Sequence, residues 1–298
     1  MSKPQTAVIL DGKKIADEIL LEVRKQIIET GLQPGLAAIL VGNDPASEMY
    51  VRLKEKACLN VGINFHKYLG GNEILQDFDE AELTELIEFL NRDKQIDGIL
   101  LQLPLPEGFN QDKMIKVIAP EKDADGFNGG PVVPPTVAAI IELLKATHRH
   151  AGLDPASSIK STWIPGQIRN DKYFAGKKTL VIGKSDIFTG GIEKYLKQEL
   201  GIKKISVLHS LPDNSADFDI IIIALGRARA LKSSQVKTGA IVIDVGINKY
   251  DGQTVGDADP SVAKVAGWLS PVPGGVGPLT VACLLRNVLE LAKKNREK

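Results

Sequence analysis

The sequence predicts an α/β protein of two domains, and three observations lead to that prediction. Apolar runs of strand length alternate with amphipathic helical segments along most of the chain, which is typical of parallel sheets. The length of 298 residues exceeds that of most single domains. The stretch TLVIGKSDIFTGGIEKYL (179–196) joins a strand to a helix through a glycine-bearing turn, as phosphate-binding loops do. Its glycines match neither GxGxxG nor a P-loop, so this stretch alone does not identify a nucleotide.

In the first half, apolar spacing predicts a regular alternation of helices and strands. The predicted elements are a helix at 11–30, a strand at 35–42, a helix with Asp44 as N-cap and Pro45 at its first position, a strand at 64–69, a helix at 79–91, a strand at 97–106 and a helix at 137–146. The polar stretch 148–178 has no clear period and is interpreted as a linker or surface insert. His148 and His150 are therefore expected in a solvated loop.

In the second half, four apolar, β-branched runs are separated by helical or turn segments. They are TLVIG (179–183), KISVLHS (204–210), DIIIIALG (219–226) and AIVIDVG (240–246). Long apolar strands without strict alternation predict a sheet covered on both faces, the doubly wound arrangement. A last helix at 277–298 is long enough to return to the first domain. The predicted domains are 1–146, completed by 278–298, and 147–277.

Composition favours a small ligand. Lys and Arg together number 37, as do Asp and Glu, so the charge balance indicates neither nucleic acid nor a membrane as partner. The N-terminal sequence lacks the pattern of a signal peptide, and no apolar run is long enough to span a membrane, so we expect the cytoplasm. Cys58 and Cys283 lie in helical patterns without metal-ligand spacing. Both are interpreted as core thiols, and no metal is expected.

Tyr50 and Lys54 are four residues apart and therefore share one face of the predicted second helix. They lie next to a row, Met49, Leu53 and Ala57, that is expected to face the core. A lysine there can be partly dehydrated. Proton transfer at neutral pH requires its pKa to fall by roughly three units from ~10.4, or about 4 kcal/mol. The alternative is a solvated, charged helix face.

Three further places carry polar or glycine-rich residues that chemistry can use. Gln102 lies within an otherwise apolar strand, where a buried amide either caps a loop or faces a ligand. Asp123 and Asp125 lie in the turn-rich PEKDADGFN, which simple turn chemistry also explains. SPVPGGVGPLT (270–280) is either a loop leading into the last helix or a stiff loop with bare backbone that a flat ligand approaches.

Taken together and in order, seven strings resemble one family, the bifunctional methylenetetrahydrofolate dehydrogenase/methenyltetrahydrofolate cyclohydrolases. The strings are LDGKKIA, SEMYVRLKEKACLNVGI, DGILLQLPLP, PEKDADGFN, GAIVIDVGIN, VGDAD and SPVPGGVGPLTVACLL. The resemblance covers about residues 9 to 292. It implies two α/β domains with a cleft between them, the second domain Rossmann-like, and a homodimer. It also implies two consecutive reactions on tetrahydrofolate derivatives, oxidation of a methylene group and hydrolysis of the methenyl product.

The resemblance also assigns roles around the folate. Lys54 is the central proton-handling group, Gln102 hydrogen-bonds and orients it, Tyr50 lies against the folate rings, and Asp125 binds the amino edge of the pterin. These four form the predicted catalytic set. The backbone of 274–278 passes beside the substrate. The predicted substrate contacts are Tyr50, Asp125, Pro273, Gly274, Gly275, Val276 and Gly277.

The departures from the family pattern lie mainly on the nucleotide side. The family loop reads G(R/A)SxxVGxP, whereas GKSDIFTGG stands here, with Phe188 in place of a valine. The family's PCTP is PPTV at 134–137, after a shortened segment, and the 148–178 stretch is longer than usual. The GxS start survives, so the loop is still expected to hold a nucleotide if the Phe188 ring leaves room for a pyrophosphate.

NADP is the predicted cofactor. After the second strand of the second domain come His209 and Ser210, with no carboxylate until Asp213, which favours a 2′-phosphate over free ribose hydroxyls. Lys184 supplies a cation where the family has arginine. The predicted cofactor contacts are Gly183, Lys184, Ser185, His209, Ser210, Gly226 and Ile247. Two alternatives remain at this stage: a cyclohydrolase whose dehydrogenase activity is weakened or lost, and a non-catalytic folate-binding or regulatory protein.

Overall fold

A computed structural model describes residues 6–70, 78–151 and 171–296. The strands are β1 (Val8–Ile9), β2 (Gly35–Val41), β3 (Asn64–Gly70), β4 (Gly98–Leu101), β5 (Lys178–Gly183), β6 (Lys204–Leu208), β7 (Ile220–Ala224), β8 (Ile241–Asp244), β9 (Asn248–Tyr250), β10 (Gln253–Val255) and β11 (Trp268–Leu269). The helices are α1 (Gly12–Thr30), α2 (Pro45–Val61), α3 (Glu80–Arg92), α4 (Gln111–Val117), α5 (Pro135–Ala151), α6 (Asp171–Phe174), α7 (Asp186–Thr189), α8 (Ile192–Leu200) and α9 (Val276–Arg296).

The smaller parallel sheet has three strands in the order β3-β2-β4. Its central strand β2 is buried at every position, and Leu36 and Ile39 have no exposed surface. A strand buried on both faces needs no polar alternation, which is why GLAAILV is apolar throughout. The predicted parallel arrangement of the first half is confirmed.

The larger sheet has six parallel strands in the order β1-β11-β8-β7-β5-β6. The four predicted runs form β5 to β8, and the two-residue strands β1 and β11 extend the sheet beyond β8. From β5 the chain adds β6 on one side and then passes to the other side for β7 and β8. This reversal makes the sheet doubly wound, with its switch point between β5 and β7.

A small antiparallel hairpin, β9 with β10, follows the larger sheet's strand β8. Its two-residue turn is Asp251-Gly252, with φ of 49° and 74°. Positive φ at both central positions is what a type I′ hairpin turn requires, and Asp-Gly is a favoured pair for it.

The chain folds into two compact units. One comprises 1–15 and 136–279 and contains the six-stranded sheet, and the other comprises 16–135 and 280–298 and contains the three-stranded sheet. The first residues group with the larger sheet because β1 pairs with β11. The predicted division had assigned residues 1–15 and most of α5 to the other domain.

Two local predictions were wrong. Strand β4 ends at Leu101, so Gln102 follows the strand instead of lying inside it. Pro104 and Pro106 have no amide hydrogen for a ladder bond, so the strand does not continue through them. His148 lies in α5, which extends to Ala151, and its ring packs edge-on against Tyr173 at 4.7 Å between centroids. His150 also belongs to α5, and the end of the predicted insert, 171–178, contains α6 and the first residue of β5. Residues 152–170 of that insert lie outside the described residues.

The two cysteines are fully buried thiols, Cys58 in α2 and Cys283 in α9, and neither is in a disulfide. This confirms their interpretation as core residues. Among the helices of the described residues, none combines the length and the apolar character that a membrane crossing requires.

Candidate functional site

Helix α2 carries the lysine of the predicted folate site. The Asp44 carboxylate caps it by accepting hydrogen bonds from the Ser47 amide at 2.8 Å and the Ser47 hydroxyl at 2.7 Å. Pro45 occupies the first turn, and Gly62 ends the helix with φ of 90°. The Asp44 cap and Pro45 confirm the predicted start of α2.

The predicted core-facing row of α2 was wrong. Met49 and Leu53 keep 49% and 50% of their surface exposed, and the buried residues are instead Ser47, Val51, Cys58 and Val61. Lys54 is three residues after Val51 and four before Cys58, so it belongs to the buried row. This lysine interrupts the apolar spacing of the buried row. The apolar residues of the sequence therefore pointed to the face of Met49, Leu53 and Ala57 instead.

The Lys54 ammonium Nζ donates a hydrogen bond to Gln102 Oε1 at 2.9 Å. The Gln102 amide nitrogen donates to the Leu103 carbonyl at 2.8 Å, so its oxygen is left facing the lysine. Burial lowers the pKa of Lys54, while the nearby Asp125 carboxylate opposes that shift. A lowered lysine pKa is what proton transfer near neutral pH requires.

Asp125 lies in a turn whose backbone runs beside β4. The Ile99 amide donates to the Lys122 carbonyl at 2.7 Å, and the Ala124 amide donates to the Ile99 carbonyl at 3.2 Å. Burial raises the pKa of Asp125 to about 7, with the Lys54 charge lowering it and the Asp123 charge raising it. Lys54 and Asp125 therefore both shift toward their neutral forms, and they are electrostatically coupled.

Two side chains, Asp123 and Asn287, hold this turn in place, and sequence reasoning missed the second. The Asp123 carboxylate accepts from the amides of Asp125 and Gly126, both at 3.0 Å, and of Asn128 at 2.6 Å. On α9, Asn287 donates its amide to the carbonyls of Ala124 at 3.0 Å and Val133 at 2.8 Å. Asp123 therefore stabilises the turn through these backbone hydrogen bonds, which is the simpler role considered for it from the sequence. No local pattern indicates Asn287, because its partners lie more than 150 residues away.

The other predicted folate contacts are distributed over both units. Tyr50 is half-buried, one helical turn before Lys54. Pro273, Gly274 and Gly275 form the loop between β11 and α9, and Val276 and Gly277 begin α9. The Gly274 carbonyl accepts from the Lys13 amide at 3.0 Å. The structure thus brings Lys54, Gln102 and Asp125 together, while the glycine loop belongs to the unit with the larger sheet.

The predicted nucleotide contacts gather at the carboxyl edge of the larger sheet. Gly183 at the end of β5 is level with Ala224 at the end of β7, so the loops that follow them start side by side. His209, just after β6, places Nδ1 at 3.1 Å from the Gly183 carbonyl. Ile247 lies three residues beyond β8 and is 52% exposed. This edge includes the switch point, where doubly wound sheets bind ligands.

The side chains of the first loop have different surroundings. Lys184 and Ser185 are exposed, and Ser185 occupies the N-cap of α7 without capping it through its side chain. The Phe188 ring packs on Gly183, since a Cβ there would lie 2.6 Å from Phe188 Cδ1. Gly226 has φ of 60°, and the space that its Cβ would occupy is open. Asp186 Oδ1 lies 4.0 Å from His209 Nε2, which adds a negative charge to this edge.

These two sites define a class of protein: a two-unit α/β enzyme with a lysine-centred site in one unit and a nucleotide-binding edge in the other. Residues 10–125 match the tetrahydrofolate dehydrogenase/cyclohydrolase catalytic domain, and residues 168–296 match the NAD(P)-binding domain of the same family. The chain belongs to the tetrahydrofolate dehydrogenase/cyclohydrolase family, and its function lies in one-carbon folate metabolism. The resemblance noted in the sequence is confirmed.

Relatives match over nearly the whole chain. The bifunctional protein FolD of Halalkalibacterium halodurans is 40% identical over 308 aligned residues, covering 97% of this chain and 100% of the relative. A crystal structure of the FolD enzyme of Campylobacter jejuni is 34% identical, with a TM-score of 0.80 over 97% of this chain and 99% of that chain. The Trypanosoma brucei enzyme, crystallised with NADP and an inhibitor, is 30% identical, with a TM-score of 0.81 over 98% and 99%.

Proposed function

We propose that this protein oxidises 5,10-methylenetetrahydrofolate to 5,10-methenyltetrahydrofolate with NADP and hydrolyses the product to 10-formyltetrahydrofolate. The observation that carries the proposal is the group formed by Lys54, Gln102 and Asp125. A half-buried lysine that donates to an amide oxygen, with its pKa lowered by burial, is equipped to exchange protons. Family membership supplies the folate chemistry that such a lysine serves.

In the oxidation, the protein's own residues mainly hold two planar molecules in register. Asp125, as a carboxylate, accepts two hydrogen bonds from the amino edge of the pterin. Its raised pKa, about 7, keeps both protonation states within reach near neutral pH. Tyr50 lies one turn from Lys54 and offers its ring to the folate. NADP, when bound, takes up the hydride that leaves the methylene carbon.

In the hydrolysis, Lys54 performs proton transfer. The neutral amine takes a proton from water as the water oxygen bonds to the methenyl carbon. Lys54 then gives this proton to the ring nitrogen as the bond between that nitrogen and the carbon breaks. The new hydroxyl group on the carbon releases the second water proton to solvent as it becomes the formyl oxygen. Gln102 accepts from Lys54 throughout, which keeps Nζ in position. A lysine whose pKa stayed near ~10.4 would be almost fully protonated at neutral pH and would be a poor base.

The carboxyl edge of the larger sheet fits a pyridine nucleotide phosphorylated at the 2′ position. Lys184 provides an exposed cation, and Ser185, His209 and Ser210 provide polar groups at the ends of β5 and β6. The first carboxylate after β6 is Asp213, so the usual acidic partner of ribose hydroxyls is missing there. The T. brucei relative binds NADP. Asp186 is the one feature of this loop that opposes a phosphate.

The test is a pair of assays on the purified protein. Reduced-nicotinamide absorbance is followed with methylenetetrahydrofolate plus NADP and then plus NAD, and the decay of methenyltetrahydrofolate is followed separately. We expect both activities, with a lower KM for NADP than for NAD. Methenyl decay without reduction of either nucleotide supports a cyclohydrolase alone. If neither reaction occurs but calorimetry detects folate binding, the protein is a folate-binding or regulatory protein.

We also propose a homodimer in the cytoplasm, as the family resemblance implies. The expected particle has twice the chain mass of 32.2 kDa. Light scattering coupled to size-exclusion chromatography measures that mass directly. A monomer across the concentrations used for the assays contradicts the homodimer.

A further inference from the structure

Asp257 holds the loop that follows β7 with hydrogen bonds to three successive backbone amides. Its Oδ2 accepts from Leu225 at 2.5 Å and Gly226 at 3.0 Å, and its Oδ1 accepts from Arg227 at 2.7 Å. The Asn248 side chain donates to the same Oδ1 at 2.9 Å. A buried carboxylate with four donors is strongly bound in place, because each bond is charge-assisted.

A second buried carboxylate, Asp244, positions Asp257 in turn. Its Oδ1 accepts from the amides of Gly246 at 2.9 Å and Asp257 at 3.0 Å, and its Oδ2 accepts from the Ala258 amide at 2.7 Å. A Cβ on Gly246 would collide with the Asp257 carboxylate, and a Cβ on Gly256 would collide with that of Asp244. The strings IVIDVG and VGDAD are therefore two halves of one interlocked network.

This network determines which backbone atoms the β7 loop presents. In a trans peptide, each carbonyl points opposite to the next residue's N–H. Since the amides of 225, 226 and 227 point at Asp257, the carbonyls of Ala224, Leu225 and Gly226 point away from it. Gly226 also leaves open space beside its Cα. The loop starts at the switch point, level with Gly183, where a ligand of this sheet is expected.

We propose that Asp257 is a positioning residue for nucleotide binding: it orients the loop 225–227 so that its carbonyls and the bare Gly226 face the cofactor. The inference rests on the proposed function for the identity of the ligand, NADP. Asp257 belongs to the unit with the larger sheet, whereas Lys54 and Gln102 belong to the other. Since hydrolysis of the methenyl group uses no nucleotide, Asp257 acts on the dehydrogenase activity alone.

The test is Asp257→Asn in the full-length protein, with both activities measured per mole of enzyme. One amide oxygen cannot accept all four donors, so the loop loses its fixed orientation. We expect the KM for NADP to rise at least about tenfold, with cyclohydrolase activity within about twofold of wild type. The matched control is Asp251→Asn, which removes the same charge from the exposed turn of the β9–β10 hairpin and should change neither activity.

Equal loss of both activities, or an unchanged KM for NADP, overturns the inference. If Asp257→Asn does not fold, Asn248→Ala removes one donor to the same carboxylate. It should raise the KM for NADP about threefold without affecting hydrolysis. If the wild-type protein reduces no NADP, the proposed dehydrogenase function has failed. The variants are then compared by calorimetric NADP binding, where a wild type that binds no NADP or a variant that binds equally well contradicts the role of Asp257.

Discussion

The lysine site and the nucleotide edge are built in different ways. At the lysine site, Lys54 and Asp125 are removed from water far enough that burial shifts both pKa values. Their positions depend on side-chain hydrogen bonds such as that between Lys54 and Gln102. At the nucleotide edge, Lys184 and Ser185 are exposed, and Gly226 leaves bare backbone beside open space.

This contrast explains where the sequence departs from its family pattern. Lys54, Gln102 and Asp125 depend on one another, so replacing one changes the charge or the orientation of the others. The proposed function asks the GKSDIFTGG loop only for a cation, a hydroxyl group and an accessible backbone. Lys184 stands in place of an arginine and Phe188 in place of a valine, and these two replacements leave the cation, the hydroxyl group and the backbone present.

Replacing Lys54 by Met tests the lysine site most directly. Met fills a similar volume without a titratable group, so hydrolysis loses its proton carrier. We expect cyclohydrolase activity to fall about 10³-fold, the middle of the range for general acid–base catalysis. The matched control is Lys56→Met, because Lys56 is exposed on the same helix. A Lys54→Met enzyme with wild-type hydrolysis removes Lys54 from the mechanism.

Asp125→Asn tests whether burial raises the pKa of this carboxyl group in the folded protein. The folded pKa of about 7 lies above the ordinary value of 3.8. Between these values the folded state binds more protons than the unfolded state, so this residue's contribution to stability is lost as pH rises toward 7. An amide does not titrate. The variant should be close to wild type near about pH 4 and exceed its free energy of unfolding by roughly 3 to 4 kcal/mol near about pH 8.

The Asp125 pKa of about 7 already includes the attraction of the Lys54 ammonium, so the pKa shift alone sets the size of the expected gain. Urea unfolding at both pH values measures the difference. Asp213→Asn, at an exposed position, serves as the control and should show the same difference from wild type at both pH values. If the Asp125→Asn difference is also independent of pH, Asp125 is not a buried, titrating group.

Lys184→Gln tests the nucleotide edge. An exposed cation adjacent to a phosphate contributes a charge-assisted bond, so its loss should raise the KM for NADP about tenfold. The KM for NAD and the rate of hydrolysis should stay within about twofold, because neither involves a 2′-phosphate. Lys203→Gln provides an exposed lysine on the same unit as a control. An equal rise for NAD and NADP places Lys184 near a phosphate that both nucleotides share.

What the sequence could predict depended on how local each signal was. Strands β5 to β8 were predictable because their apolar runs are continuous, and the start of α2 because Asp44 and Pro45 mark it. The two-residue strands β1 and β11 were not, since only long-range pairing creates them. The buried row of α2 was also missed, because Lys54 interrupts its apolar pattern. Asp257 has its loop partners about 30 residues earlier in the chain, a separation without any periodic signal.

Phe188→Val tests the one substitution that suggested a blocked nucleotide loop. In the structure the Phe188 ring packs on Gly183, the first glycine of the loop. Removing a half-buried ring should lower the free energy of unfolding by about 1 kcal/mol, below the range for fully buried aromatic residues. The KM for NADP should stay within about twofold, because the ring packs against the protein's own backbone.

A double-mutant cycle with Gly183→Ala makes this test specific. Alone, the new methyl group would lie 2.6 Å from the Phe188 ring, so the alanine variant should be clearly destabilised. In the Phe188→Val background the same alanine should cost less, and the difference measures the contact between the two residues. If Phe188→Val instead lowers the KM for NADP tenfold, the ring occupies ligand space. Nucleotide binding at this edge would then depend on the size of a side chain, as the lysine site depends on its side chains, and the two sites would differ less than argued above.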